Sequence, residues 1–195
     1  MSKAEATRSY ILQKSFDLIY QKGYQSTSID EIIATTQVTK GAFFYHFKNK
    51  EEMGLAVISE IMSPSMSDFS TAYLKEGGDV RTNIYKMMEA LLLKNDFFKV
   101  EYGCPLVNLI EEMSAHNQAF RKLLRRVVVA WQTEIESALS VAQNEGQIAG
   151  EHDPTQIAQY ITANYGGVRY LGKVFGKQSY KTFLHEFKKY LDCLH

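Results

Sequence analysis

The sequence predicts an all-α protein, and three observations carry that prediction. Apolar residues recur three and four positions apart, and no segment of useful length alternates with a period of two. Only three prolines stand in 195 residues, and Pro105 and Pro154 open helices, where a missing N–H is no loss. Cap residues recur ahead of the apolar stretches: Ser28, Thr39, Asn49, Asp79, Asn117 and Asp153. An apolar share of 45% rules out general disorder and is enough for a sizeable core.

Taken in order, residues 4–22 form an amphipathic helix with Ile11, Leu12, Ser15, Phe16 and Ile19 as its buried stripe and Gly23 as its C-cap. Residues 28–50 hold two short helices with a tight break. Ser28 caps the first, and Glu31 stands where each side chain can satisfy the other residue's free N–H. Ile29, Ile32 and Ile33 share a face, Thr35-Thr36-Gln37 is the break, and Val38 pins the turn to the core. Thr39 caps the second helix, whose Phe43 and Phe47 face inward. Asn49 caps the next, with Glu52 as its capping-box partner.

That next helix covers 50–62, and Ser63-Pro64 is expected to break or kink it, because proline lacks the N–H and crowds the preceding turn. Asp79 caps a helix over 80–94 that bears Ile84, Met87, Met88, Leu91 and Leu92. Residues 95–103 are an irregular connection, and Cys104-Pro105 opens a helix over 106–113. The longest helix follows Asn117 and reaches 145, with Phe120, Leu124, Val127, Trp131, Ile135 and Leu139 inward. Asp153-Pro154 opens another to about 175, and Ser179 or Tyr180 begins the last.

A net charge of zero hides an asymmetry. Residues 1–50 carry seven Lys/Arg against four acids, so the basic excess lies with the two short helices. The N-terminus has no apolar signal core and the longest apolar run is too short to span a bilayer, which predicts a cytoplasmic protein without membrane attachment. Two cysteines ninety residues apart, Cys104 and Cys193, give neither a disulfide framework nor a metal motif. His46, His116, His152, His185 and His195 are scattered, and no nucleophile, base and acid assemble locally. No metal, cofactor or enzymatic activity is expected.

A short helix whose first residues are small, hydroxylated and basic suits entry into a DNA major groove. Here the order of residues is informative. Gly23-Tyr24, Thr27-Ser28-Ile29, Ile32-Ile33-Ala34, Val38-Thr39-Lys40-Gly41, Tyr45-His46-Phe47 and Lys50-Glu51 together resemble the tetracycline-repressor (TetR) family of bacterial transcriptional regulators. The resemblance covers roughly the first sixty residues. It implies a three-helix DNA-binding head with a helix-turn-helix over 1–49, and a helical ligand-binding and dimerisation body over 50–195. Thr36-Gln37 stand where the family has Ala-Gly, so Gln37 must take a conformation that glycine takes more easily. Phe44 stands where a tyrosine is common.

For contact with operator DNA the resemblance implies Thr27 and Ser28 on phosphate and Thr39, Lys40, Gly41 and Ala42 at the groove end. Phe44 is counted among the DNA-facing residues, Tyr45 and His46 bracket the backbone, and Lys50 meets phosphate at a helix N-terminus. Ala42 offers only a methyl group, which limits it to apolar contact with thymine. A homodimer is expected, paired through Gly166, Gly167, Tyr170, Val174, Phe183, Phe187 and Tyr190, with Gly172 also allowing close approach. An effector pocket is expected among Met87, Met88, Leu91, Phe98, Tyr102, Asn108, Trp131 and Tyr165. Cys104, ahead of Pro105 at a helix start, is a candidate for reaction with electrophiles, the other reading being a small buried hydrophobe. The function so implied is a repressor released from a palindromic operator by a small apolar or electrophilic effector. The rival is a DNA-binding protein of the same fold whose body binds a protein partner.

Overall fold

The computed structural model describes residues 2–95 and 97–195; Met1, in the expected head, and Asp96, in the expected connection, lie outside the described residues. The regular elements among the described residues are helices, in the order α1 (Lys3–Lys22), α2 (Ile29–Thr36), α3 (Lys40–His46), α4 (Lys50–Val57), α5 (Ser63–Leu74), α6 (Val80–Leu93), α7 (Pro105–Met113), α8 (Gln118–Asn144), α9 (Pro154–Phe175) and α10 (Lys177–Asp192). They gather into two compact units, Met1–Ser65 with Pro105–Arg126, and Met66–Cys104 with Val127–His195.

The first unit is wider than residues 1–49. Its core is the stripe of α1, with Ile11, Phe16 and Ile19 buried, closed by Ile32, Phe43, Phe47, Met53 and Val57 from α2, α3 and α4. The segment 105–126 joins it through a specific clamp. The Glu112 carboxylate accepts the backbone N–H groups of Tyr24 at 2.8 Å and Gln25 at 2.7 Å. Gly23, at φ 92°, makes that corner possible: a Cβ there would lie 3.1 Å from Glu112 Oε1. Tyr24 and Phe120 then close over Gly54, where a Cβ would meet their rings at 2.6 and 2.8 Å.

The break expected at Ser63-Pro64 is absent. The helix instead widens into one π-turn, Ile58–Met62, where the Ser63 N–H reaches back to the Ile58 carbonyl, and α5 continues through Pro64. A widened turn moves the preceding carbonyls away from the proline ring, which is how the helix tolerates it. Two capping boxes are also only half formed. Glu31 pairs with Lys22, and Glu52 accepts from the Lys48 N–H at 2.9 Å in place of the cap residue's own.

In the second unit α10 packs on α6 and α9, burying Ile84, Leu91, Ile161, Leu184, Phe187 and Leu191. Asp79 caps α6, its side chain accepting the Thr82 N–H at 2.8 Å. Gly172 serves a contact inside this unit: a Cβ there would lie 2.3 Å from the Tyr180 ring, so it lets α9 and α10 meet.

Gly54→Ala should therefore lower the stability of the first unit by about 1–3 kcal/mol through overpacking. Glu112→Ala should cost about 1.5–3 kcal/mol by removing a charged acceptor from two N–H groups. Urea unfolding midpoints of the two variants against the parent measure both.

Candidate functional site

The reader is α2, its turn and α3. Ser28 caps α2 by accepting the Glu31 N–H, and Gln37 ends it in the left-handed region at φ 57°. The Thr36 hydroxyl, buried, donates to the Ile32 carbonyl at 2.8 Å and closes the last turn. Thr39 caps α3 by accepting the Ala42 N–H at 3.1 Å, while Phe43 and Phe47, both buried, tie the helix to the core. The opposite face stands clear: Thr39, Lys40, Gly41 and Phe44 are exposed and Tyr45 is 76% exposed, with Ala42 and His46 half-buried. Lys40 pairs with Asp30 at 3.2 Å across two largely exposed side chains, a contact that water weakens and phosphate can replace.

Two expected DNA contacts are not offered by this geometry. The Thr27 hydroxyl is buried and donates to the Gly23 carbonyl at 2.7 Å, so it stiffens the corner between α1 and α2. The Lys50 ammonium turns inward, donating to the Gln25 carbonyl at 3.2 Å and lying 4.4 Å from the centre of the Tyr24 ring. Burial lowers its pKa, against the pull of Glu112. Both misplacements have one cause: the side chains find partners in the fold that sequence spacing does not reveal.

The expected pocket residues separate into groups. Met87, Met88 and Leu91 are packed solid in α6, Tyr102 is half-buried, and Asn108 belongs to the first unit. An open cleft of the second unit, about 720 Å³, is lined instead by residues of α5, α6 and α8 with their flanking turn, among them Leu74, Glu76, Val80, Glu134 and Val141. Glu134 ties α8 to α5 there, accepting from Ser67 at 2.9 Å and from Ser70.

Phe98, Cys104 and Tyr165 instead meet around Arg169, which the sequence reading passes over. This arginine is 1% exposed. Its guanidinium donates to the Leu91 carbonyl, to the Tyr165 hydroxyl at 3.2 Å and to the Tyr180 hydroxyl at 3.4 Å, and lies 4.7 Å from the Phe98 ring centre. Burial opposes its charge, but Tyr165, Cys104 and Tyr180 together outweigh burial and raise its pKa. Tyr165 has its own pKa pushed well up, first by burial and then by Cys104, with Arg169 pulling the other way. Trp131 joins edge-on to Tyr165, ring centres 5.2 Å apart. An arginine four residues after a stripe tyrosine and three before Gly172 was the available signal.

Along α9 a second face is apolar and uncovered in the protomer: Tyr160, Tyr170 and Leu171 are exposed, Val174 is 64% and Phe175 67% exposed. A shallow groove of about 530 Å³ runs beside them, floored by Gly167 and Ala163 and walled by Phe183. Gly166 and Gly167 have nothing within 4 Å of an added Cβ. Of the expected pairing residues, Phe187 is instead buried within the protomer and stacks on Phe183, ring centres 5.2 Å apart. Tyr190 is half-buried against Tyr160, ring centres 4.5 Å apart.

Comparison with known proteins agrees with both halves of this description. Residues 11–57 match the model described as bacterial regulatory proteins, tetR family, and residues 83–185 match the tetracyclin repressor-like C-terminal domain. An HTH-type transcriptional regulator of Lactococcus lactis, encoded in the lacX 3' region, is 34% identical over 134 residues, covering 69% of this chain and 68% of that protein. The transcriptional regulator AcuR of Cereibacter sphaeroides is 28% identical over 172 residues, covering 84% of this chain and 75% of that one. The fold matches the reduced form of Escherichia coli NemR with a TM-score of 0.82 at 22% identity, covering 96% of each chain. A regulator from Chloroflexus aurantiacus matches with a TM-score of 0.89 at 22% identity, over 98% of this chain and 97% of that one.

Two outcomes follow for the reader. Gln37→Gly should stabilise it by about 1 kcal/mol by removing a Cβ from a left-handed residue, read as a higher urea midpoint. Burial, then Glu51 and Glu112, push the Tyr24 pKa up to about 12. The folded state thus keeps a proton that the unfolded chain releases near its ordinary value of about 10. That contribution is whole below this pH and is lost as pH rises through the folded value. Tyr24→Phe should flatten the decline in stability between about pH 10 and about pH 12, measured by urea titration across the range.

Proposed function

The chain belongs to the tetracycline-repressor (TetR) family of bacterial transcriptional regulators, and from that premise we propose a dimeric repressor released from a palindromic operator by a small apolar or electrophilic effector. It is a regulator and not an enzyme. One observation supports the DNA reading above the others: on α3 the exposed residues Thr39, Lys40, Gly41, Phe44 and Tyr45 stand clear while Phe43 and Phe47 anchor the opposite side. A helix of seven residues covers too few base pairs alone, so two heads spaced about 34–36 Å apart supply the affinity. Ser28, Thr39 and Tyr45 meet phosphate with their hydroxyls, Lys40 exchanges Asp30 for phosphate, and Ala42 approaches a thymine methyl.

Pairing through α9 covers Tyr170, Leu171, Val174 and Phe175, with Gly166 and Gly167 letting the partner helix come close. The effector enters the second unit and shifts α8 and the α4–α5 rod, whose chains run into both units, spreading the heads. The thiol of Cys104, buried beside Tyr165 and Arg169, supports an electrophilic effector, since a thiol is the side-chain group to which electrophiles add. The operator places such a protein in the cytoplasm. The exposed apolar face of α9 also supports the rival, in which the body binds another protein; a monomer in solution would favour it.

Fluorescence anisotropy with the duplex upstream of the protein's own gene tests the core of this reading. Salt-dependent binding is expected, and Lys40→Ala should weaken binding to all duplexes and lower the slope of log K against log salt by about one. No salt-sensitive binding to any duplex would overturn it. Val174→Asp should convert the dimer to a monomer in light scattering. Treatment with a mild electrophile should add mass at Cys104 and release the DNA; an unmodified Cys104 with released DNA removes the electrophile from the reading.

A further inference from the structure

Among the described residues, the Arg169 cluster lacks one thing that buried cations ordinarily have, a full negative charge. Each oxygen that its guanidinium reaches is neutral: the Leu91 carbonyl and the Tyr165 and Tyr180 hydroxyls. Among the described residues no carboxylate pairs with it. A charge removed from water in this way is costly unless something opposite in sign joins it.

Beside it stands an unmet donor. Trp131 is 6% exposed, and among the described residues its indole N–H is the buried side-chain polar atom without a partner. Buried donors of this kind are ordinarily satisfied. The Trp131 ring centre lies 5.2 Å from that of Tyr165, and the Arg169 Cζ lies 5.2 Å from the same ring. A cation bonded only to neutral oxygens and one spare N–H donor therefore flank one phenol ring in the interior of the second unit.

We propose that Arg169 and the Trp131 indole N–H form a receptor for the carboxylate of a small monoanionic organic acid. The chemistry selects that class. A carboxylate is planar and matches the guanidinium fork, with a lone pair left for the indole. One cation balances one negative charge, whereas a phosphate dianion would bring a second. The faces of Phe98, Tyr165 and Tyr180 around the guanidinium suit a short hydrocarbon or aromatic tail. The carboxylate takes over the fork from the Leu91 carbonyl, a last-turn group of α6, and so loosens α6 from α9. The proposal rests on the second unit being the effector domain, and it is tested without DNA, so its failure leaves the operator reading intact.

Trp131 is the sole tryptophan of the chain, so its emission reports from the receptor itself. The protein is titrated with propionate, hexanoate and benzoate at constant ionic strength, with sodium chloride and the matching amides as controls. A saturable change with at least one acid, absent with amides and chloride, is expected. Arg169→Gln should abolish it. Should that variant not fold, Trp131→Phe, followed by thermal shift, keeps the ring and should weaken the acid about tenfold by removing one charge-assisted hydrogen bond. Cys104→Ser should leave the response in place; its loss would mean that the charge is supplied by the sulfur of Cys104, which overturns the proposal. So would an unmoved wild-type emission and melting midpoint with every acid, amides acting as well as acids, or unchanged acid binding in Trp131→Phe.

Discussion

The DNA-reading unit depends on the Glu112 carboxylate. Two backbone N–H groups at the corner between α1 and α2 have no helical partner, and one acid from the last turn of α7 satisfies both, at 2.8 and 2.7 Å. The corner is narrow enough to need Gly23, and the Thr27 hydroxyl draws it tighter by donating to the Gly23 carbonyl. With the corner fixed, α2 leaves α1 at one angle and α3 presents Tyr45 and Lys40 outward. Tyr24, held by the same clamp, covers Gly54 and brings Lys50 onto its ring. The orientation of the reader is thus set by a residue nearly ninety positions downstream, because a short helix-turn-helix has too little surface to orient itself.

What local chemistry decides was legible in the sequence. Ser28, Thr39, Asn49 and Asp79 each cap the helix expected of them, since a cap needs only the next three residues. Gln37 takes the left-handed conformation that its place in the turn demands. What depends on tertiary partners was not legible. Lys50 and Thr27 carry groups that phosphate would accept, but Gln25, Tyr24 and Gly23 reach them first. Pro64 stops an ideal helix, yet one widened turn ahead of it lets the helix pass. Arg169 was missed for the opposite reason: an arginine reads as surface, and its burial follows from the helix it faces and not from its neighbours in sequence.

The second unit shows why an apolar list does not locate a cavity. Met87 and Met88 have the adaptable side chains that pockets use, and that same adaptability lets them fill α6 without a gap. The open volume lies where small and charged residues of α5, α6 and α8 leave it, around Glu134 and Val141. Polar groups that the core cannot pair are the better guide to chemistry, because each one is an unmet demand whose partner can be named. The Trp131 N–H is such a group, and Arg169 beside it has neutral partners but no carboxylate among the described residues.

Helix α9 carries both the buried cation and the exposed apolar face. Arg169 and Tyr170 are consecutive, one buried and the other exposed, so the same turn of helix carries the proposed acid receptor and the proposed pairing face. A ligand that releases Arg169 from the Leu91 carbonyl acts on the helix proposed to pair two copies. Linkage makes that coupling reciprocal: whatever factor the acid takes from operator affinity, the operator must take from acid affinity. A coupling of about 1–3 kcal/mol, the usual range, corresponds to about 5–150-fold in either direction. An acid that binds the free dimer and the operator complex equally would bind without regulating, since a ligand shifts an equilibrium only by its difference in affinity for the two states.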